Sequence, residues 1–137
     1  MASNITVTAQ VGANPEKVWT MWNSPEHITK WNNPSDDWHS PRSENDLSEG
    51  GKFRTRMEAR DGSMGFDFSR TYNKVIPNEF IAYTLDDGRK VTVTFSASEN
   101  GTLIEETFEA ETQHPEDFQK AGWQAILDNF KKYAENN

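Results

Sequence analysis

The chain has no cysteine, which excludes disulfides, thiolate metal sites and cysteine nucleophiles. It is also short of basic charge: 14 Lys and Arg stand against 22 Asp and Glu, for a formal net charge of −8. Nucleic acids and anionic membrane surfaces attract basic faces, so we expect neither as a partner. No apolar run is long enough to cross a membrane, and no basic N-terminal region precedes an apolar one. We therefore expect a cytoplasmic protein without a signal peptide or membrane insertion.

Motifs for metals, phosphates and nucleophilic catalysis are missing too. There is no HExxH, G-x-S-x-G, P-loop or dinucleotide-binding pattern. None of His27, His39 and His114 has a second histidine nearby in the sequence. The segment Asp36–His39 offers donors for a divalent ion, but a solvated loop is the commoner explanation. Gly50-Gly51 precedes a predicted strand rather than a helix, so it cradles no phosphate. We expect no metal and no cofactor.

What the chain does have is aromatic side chains. Its 137 residues predict a single domain, 1–137, which is long enough to bury a core. Hydrophobic residues make up only 34%, but they include five Trp, eight Phe and three Tyr. Large rings can line a cavity for a ligand, or they can fill a small core without one. Composition leaves both interpretations open.

The N-terminal part predicts one strand and two short helices. Apolar residues alternate over Ile5–Ala9, which is typical of a strand. Asn14-Pro15-Glu16 and Ser24-Pro25-Glu26 each place a cap, a proline and an acid at the start of a helix. The helices are predicted over about 15–22 and from 25 to about 30, ending before Asn33-Pro34. The polar stretch from Trp31 to Gly51 is predicted as a loop, and its length suggests a function, local packing or a short strand near Glu44–Leu47.

The rest predicts a meander followed by one long helix. Residues Gly51–Glu111 alternate with a period of two, broken by turn sequences such as Asp61-Gly62 and Asn100-Gly101. Pro115 to about Ala134 repeats apolar residues at helical spacing, so one face of this helix must be covered. Helices segregated to one side of an antiparallel sheet make an α+β fold.

Six stretches of the sequence resemble known proteins. They extend over nearly the whole chain, and their order and spacing carry the resemblance. They are 14–22 (NPEKVWTMW), 24–31 (SPEHITKW), 50–54 (GGKFR), 72–77 (YNKVIP), 87–91 (DGRKV) and 119–127 (QKAGWQAIL). The chain resembles the START-like superfamily, which includes polyketide cyclases and the birch-pollen allergen. Within it, the chain is similar to the family of homologues of the activator of the ninety-kilodalton heat-shock protein's ATPase. The resemblance implies a helix-grip fold: a curved antiparallel sheet, two short N-terminal helices and one long C-terminal helix.

The resemblance also implies a range of functions. In the superfamily, a cavity between the sheet and the C-terminal helix holds lipids, polyketides or other small apolar molecules, and some relatives catalyse cyclisation or hydrolysis there. The family name implies a chaperone as an alternative partner. In the chaperone activator itself, however, this module resembles only the C-terminal part, and the N-terminal domain that dominates chaperone binding has no counterpart in these residues.

Glu106 is the sharpest anomaly in the sequence. Alternation along the last strand places it inward with Ile104 and Phe108. A carboxyl group in an apolar pocket has a raised pKa and could act as a general acid or base, or bind the polar end of a ligand. An ion pair with inward Arg70, a β-bulge and a position at the pocket's open end are the alternatives. Gly122, beside Trp123, also needs explaining because glycine destabilises a helix, and close packing on the sheet or a ligand would account for it.

We therefore expect a small-molecule binding module rather than an enzyme. The alternative is a protein-interaction module that stimulates a chaperone ATPase, and a cyclase or hydrolase using Glu106 ranks last because no nucleophile or metal site supports it. We expect a monomer or a weak dimer. The predicted ligand-binding residues are Trp31, Trp38, Met57, Met64, Phe66, Arg70, Phe95, Glu106, Phe108 and Trp123.

Overall fold

A computed structural model of the protein describes residues 4–32 and 37–136. In chain order, the described residues form the following elements: β1 (Asn4–Val11), α1 (Pro15–Asn23), α2 (Pro25–Trp31), β2 (Trp38–Asn45), β3 (Lys52–Ala59), β4 (Gly65–Ile76), β5 (Phe80–Leu85), β6 (Lys90–Ser98), β7 (Gly101–Glu109) and α3 (Glu116–Asn136). The predicted α+β helix-grip architecture is confirmed.

All the strands belong to one curled antiparallel sheet, in the order β1-β7-β6-β5-β4-β3-β2. The meander from β2 to β7 pairs each strand with the next, and β1 closes onto β7. Exposure alternates along the strands, as in β1, where every second residue is buried, and in β7 beside it. One face of the sheet therefore supplies the core, and the other meets water.

The first two helices begin where the sequence predicts. The Asn14 side chain accepts a hydrogen bond from the Lys17 amide at 2.9 Å, and Pro15 opens α1. On α2, the Trp31 indole donates to the Met21 carbonyl at 3.0 Å, which fixes α2 against α1. The Asn33-Pro34 pair that was predicted to follow α2 lies outside the described residues.

The long helix α3 is buried unevenly along its length. Its C-terminal half carries the buried residues Leu127, Phe130 and Ala134, and the Phe130 ring centre lies 4.9 Å from those of both Trp22 and Trp31. In its N-terminal half only Gln119 is buried. The helix thus packs into the core at one end and leaves space beneath it at the other.

The prediction of a loop from Trp31 to Gly51 is wrong over Trp38–Asn45, and the short strand considered near Glu44–Leu47 begins earlier and ends at Asn45. β2 runs from Trp38 to Asn45 and forms an edge of the sheet. An edge strand is paired on one side only, so its polar composition is tolerated. Pro41 lies where the register with β3 shifts between His39 and Arg42, a bulge at which the missing N–H does no harm.

Within the described ranges, no helix is both long and apolar enough to cross a membrane.

Candidate functional site: a cavity beneath the last helix

A cavity of about 400 Å³ lies between the concave face of the sheet and the N-terminal half of α3. Its lining comes from all three helices, from strands β3, β4, β5 and β7, and from the adjoining loops. The lining residues are Trp22, Trp31, Asn32, Met57, Phe66, Phe68, Arg70, Tyr83, Arg89, Glu106, Glu111, His114, Phe118, Gln119, Gly122, Trp123 and Ile126. The walls are therefore mostly apolar and rich in aromatic rings, with a few charged groups among them.

The structure brings many of the predicted site residues together at this cavity. Those that line it are Trp31, Met57, Phe66, Arg70, Glu106 and Trp123. Phe108 lies one layer deeper, fully buried on β7 with its ring against that of Trp123. These residues come from five different elements, so the fold alone assembles them.

Three other predicted site residues lie away from the cavity lining. Met64 is 64% exposed in the turn between β3 and β4. Phe95 is buried against Trp19 and Trp22 of α1, at ring distances of 5.4 and 5.7 Å. Trp38, on the edge strand, contacts the ring of Phe66 at 5.9 Å. Strand alternation identified the inward face of the sheet but not the part of that face left uncovered by α1.

Arg70, Tyr83 and Glu106 form what we call the polar end of the cavity. Glu106 is 6% exposed and faces inward, as the alternation predicted. It lies in unbroken register opposite Val7 on one side and Val93 on the other, so the bulge considered for it is absent. The ion pair considered for it is absent too, since no carboxylate of the described residues lies within 4.0 Å of the Arg70 guanidinium.

Aromatic rings hold Arg70 in place instead of a carboxylate. Its guanidinium carbon lies 3.8 Å from the ring centre of Phe53 and 4.1 Å from that of Tyr83. Cation–π contacts of this kind contribute roughly 1–2 kcal/mol when water is excluded. Arg70 is only 7% exposed, and its Nε finds no hydrogen-bond acceptor among the described residues. A buried, permanently charged group therefore stands beside open space.

Glu106 is poised to change its protonation near neutrality. Burial raises the pKa of its carboxyl group to about 7, against the opposing effects of the Arg70 charge and the nearby Tyr83 hydroxyl. The Tyr83 hydroxyl lies close enough to favour the carboxylate, but its geometry falls short of a full hydrogen bond. Burial also raises the pKa of Tyr83, so it stays neutral. The polar end can thus hold a fixed cation and a carboxyl group that accepts or donates a proton.

Some residues of the site were missed by the sequence analysis. Tyr83 alternates with Ile81 and Leu85, both buried, so the same period-two argument could have found it. Gln119 gives no such indication. Its side chain accepts a hydrogen bond from the Glu111 amide at 2.8 Å and donates to the Glu111 and His114 carbonyls at 3.1 and 2.8 Å. These bonds fix the connection between β7 and α3 as one rim of the cavity.

Close packing of a sheet side chain on Gly122, one of the two explanations considered for this glycine, is contradicted by the structure. No atom outside the helix's own backbone lies within 4 Å of the position that a Cβ would occupy there. Gly122 lines the cavity, and the missing side chain leaves that space open.

No cluster of three or more His, Asp or Glu side chains suited to a metal ion occurs in the part of the chain that the structure describes. Asp36, the first residue of the acidic segment considered above, lies outside that part.

The site and fold together define a helix-grip protein of the START-like kind, with a cavity under its last helix. More specifically, the chain belongs to the family described as activator of Hsp90 ATPase homolog 1-like proteins, whose family model matches residues 12–135. The resemblance noted in the sequence is thereby confirmed.

Solved structures agree with this assignment. An AHSA1-like protein from Aeromonas hydrophila is 46% identical with a TM-score of 0.93, over 98% of this chain and 93% of that one. A protein from Cytophaga hutchinsonii is 49% identical with a TM-score of 0.81, over 98% and 92% of the two chains. A protein from Chromobacterium violaceum shares the fold at 23% identity, with a TM-score of 0.87 over 98% and 99%. No curated protein matches the sequence.

Proposed function

We propose that this protein binds a small, mostly apolar molecule in the cavity beneath α3. The observation that carries the proposal is an aromatic-walled space of about 400 Å³ that contains a buried Arg70 and Glu106. Small-molecule sites commonly measure about 300–1,000 Å³ and combine apolar walls with a few placed polar groups. Protein interiors are otherwise close-packed, so a space of this size between the helix and the sheet is available to a ligand.

Gly122 supports the proposal independently. Glycine inside a helix costs about 1 kcal/mol relative to alanine. No neighbouring side chain explains that cost here, because the space beside Gly122 is open. Room for a bound molecule is an explanation that accounts for both facts.

A ligand screen by amide chemical shifts tests the proposal, using a small library of lipids, flavonoids and polyketides. We expect at least one class to shift the amides of Trp123 and Glu106 together, because both residues line the cavity. Spectra that stay unchanged throughout the library, from a well-folded protein, would count against the proposal.

A pair of helix variants supplies the control. Gly122→Leu places a bulky side chain in the cavity and should abolish the shifts. Ala121→Leu makes a similar change one residue away on the exposed surface of α3 and should preserve them. Equal binding by both variants would locate the ligand somewhere other than the cavity.

A second candidate function is stimulation of a chaperone ATPase, which the family description suggests. The observation that favours it is a set of apolar side chains that remain exposed: Phe66 and Phe118 at the cavity, and Met64 in the turn between β3 and β4. The test is the ATPase rate of the host's own ninety-kilodalton chaperone with and without this protein. A rate increase that survives Gly122→Leu would assign the stimulation to an outer surface rather than to the cavity.

A further inference from the structure

Three residues that line the cavity carry a buried polar atom without a partner. The Trp22 indole nitrogen, the Arg70 Nε and the Tyr83 hydroxyl make no hydrogen bond to any described residue. Buried polar groups are nearly always paired, and an unpaired one costs roughly 1–3 kcal/mol. Three such atoms around one space indicate that something other than the protein pairs with them.

These unpaired atoms are mainly donors. An indole nitrogen and a guanidinium nitrogen can only donate, and the guanidinium keeps its positive charge at any physiological pH. Tyr83 can donate as well as accept. The nearest acidic group, Glu106, makes no ion pair with Arg70 within 4.0 Å among residues 4–32 and 37–136. The polar end therefore has more donors and positive charge than the protein itself satisfies.

From this excess we infer that the ligand is an aromatic acid, which presents an anionic oxygen group to Arg70 and Tyr83 at the polar end of the cavity. The inference rests on the proposed function and narrows it to a chemical class. An anion supplies the acceptors and the countercharge that the site lacks, in short, charge-assisted hydrogen bonds. A cationic ligand would instead place a second positive charge beside Arg70, and an apolar one would leave the donors unpaired.

The neighbouring carboxyl group is compatible with an anionic ligand. Because the pKa of Glu106 is raised to about 7 by burial, it can take up a proton when a second negative charge arrives. The positive charge of Arg70 then pairs with the anionic group of the ligand rather than with Glu106.

The walls point to an aromatic body for this acid. Trp22, Trp31 and Trp123 all line the space, and Trp123 already has Phe108 stacked against its ring. Rings held in this way favour a flat partner, through offset or edge contacts.

Three probes that share one ring system test the inference by isothermal titration calorimetry: naphthoate, its neutral analogue naphthamide, and the cation naphthylmethylamine. We expect naphthoate to bind about tenfold more tightly than naphthamide, as one charge-assisted hydrogen bond implies, and the amine to bind most weakly. This comparison uses the unaltered protein, so it does not depend on how any variant folds.

Arg70→Met should remove the preference for naphthoate, while Arg54→Met deletes the same charge from the exposed face of β3 and should leave it intact. If the three probes bind alike, the inference is overturned and water must satisfy the polar end, whereas the proposed function still stands. If none of them binds, and the broader ligand screen also fails, the proposed function falls and takes the inference with it. Retention of the preference in Arg70→Met would overturn the role assigned to that residue.

Discussion

The indole of Trp123 lies flat on the ring of Phe108, with ring centres 3.9 Å apart and planes inclined by 9°. Phe108 is fully buried on β7, while Trp123 belongs to α3 and lines the cavity. The stack therefore joins the helix to the sheet at the edge of the open space. It holds one cavity wall in a defined orientation before any ligand arrives.

We expect Phe108→Leu to lower the free energy of unfolding by about 1–2 kcal/mol, because stacking is lost and a small void remains. The freed Trp123 ring should also weaken ligand binding. Urea unfolding measures the loss of stability. A ligand titration followed by tryptophan emission measures the weaker binding. Phe118→Leu is the stability control, since that ring is 65% exposed. A Phe108 variant as stable as this control would show that the stack contributes little.

Gly122→Ala is expected to raise the free energy of unfolding by about 0.5–1 kcal/mol, through better helix propensity and a less flexible unfolded chain. At the same time its methyl group enters the cavity, so ligand affinity should fall. Thermal unfolding and a binding titration on the same sample measure the two opposite effects. A gain in stability without a loss of affinity would show that the ligand does not reach Gly122.

Gly88→Ala is the matched control for backbone conformation. Its surroundings are equally open, but its φ of +93° is unfavourable for alanine. The same substitution is therefore expected to destabilise the protein there. Loss of stability in both variants would contradict the gain expected for Gly122→Ala, and open space with an ordinary φ would then not be enough to predict the effect of alanine.

The sequence was sufficient for the architecture because its patterns are local. Period-two alternation predicted the meander and turned Glu106 and Arg70 inward, and proline with a cap marked each short helix. The alternation could not tell that α1 covers Phe95 while the neighbouring strand leaves Tyr83 at the cavity. That difference depends on how helices lie across the sheet, which is set by contacts distant in sequence.

Other features were hidden because they belong to tertiary structure alone. β2 is polar and contains Pro41, so composition favoured a loop, whereas pairing with β3 decided the outcome. The three hydrogen bonds of Gln119 likewise depend on where the chain returns before α3.

Asn45 connects three elements through its side-chain amide. It accepts a hydrogen bond from the Tyr72 hydroxyl of β4 at 2.6 Å and donates one to the Asn23 carbonyl at the end of α1, also at 2.6 Å. Asn45→Ala leaves both groups unpaired in partly buried surroundings, and we expect a loss of about 1–3 kcal/mol in unfolding free energy.

Chemical denaturation of Asn45→Ala beside Asn73→Ala checks this expectation. Asn73 also hydrogen-bonds across strands, to Thr84 at 2.8 Å, but in an exposed place where water can replace the lost partner. The two variants should therefore differ clearly. Equal and small losses would indicate that water also reaches the Tyr72 hydroxyl.

The protonation of Glu106 predicts how stability depends on pH. Burial raises the pKa of this carboxyl group from its ordinary value of 4.5 to about 7 in the folded protein. The folded state therefore holds the proton more tightly than the unfolded state does. The corresponding stability is fully present below about pH 4.5 and is lost as pH rises through about 7. The shift corresponds to roughly 3 kcal/mol, as an order of magnitude.

We therefore expect the free energy of unfolding to fall between pH 5 and pH 8, and Glu106→Gln, which is neutral at every pH, to remove most of that fall. Urea titrations across this range measure it. Asp61 and Glu135 contribute little to the change in unfolding free energy between pH 5 and pH 8. Hydrogen bonds from Ser63 and Lys131, respectively, lower the pKa values of these two carboxyl groups, so their contributions change at lower pH. Glu105→Gln, an exposed neighbour on the same strand, should retain the wild-type slope. If Glu106→Gln retained it as well, Glu106 would have to be ionised throughout, and the polar end would then hold a charge pair that attracts no anion.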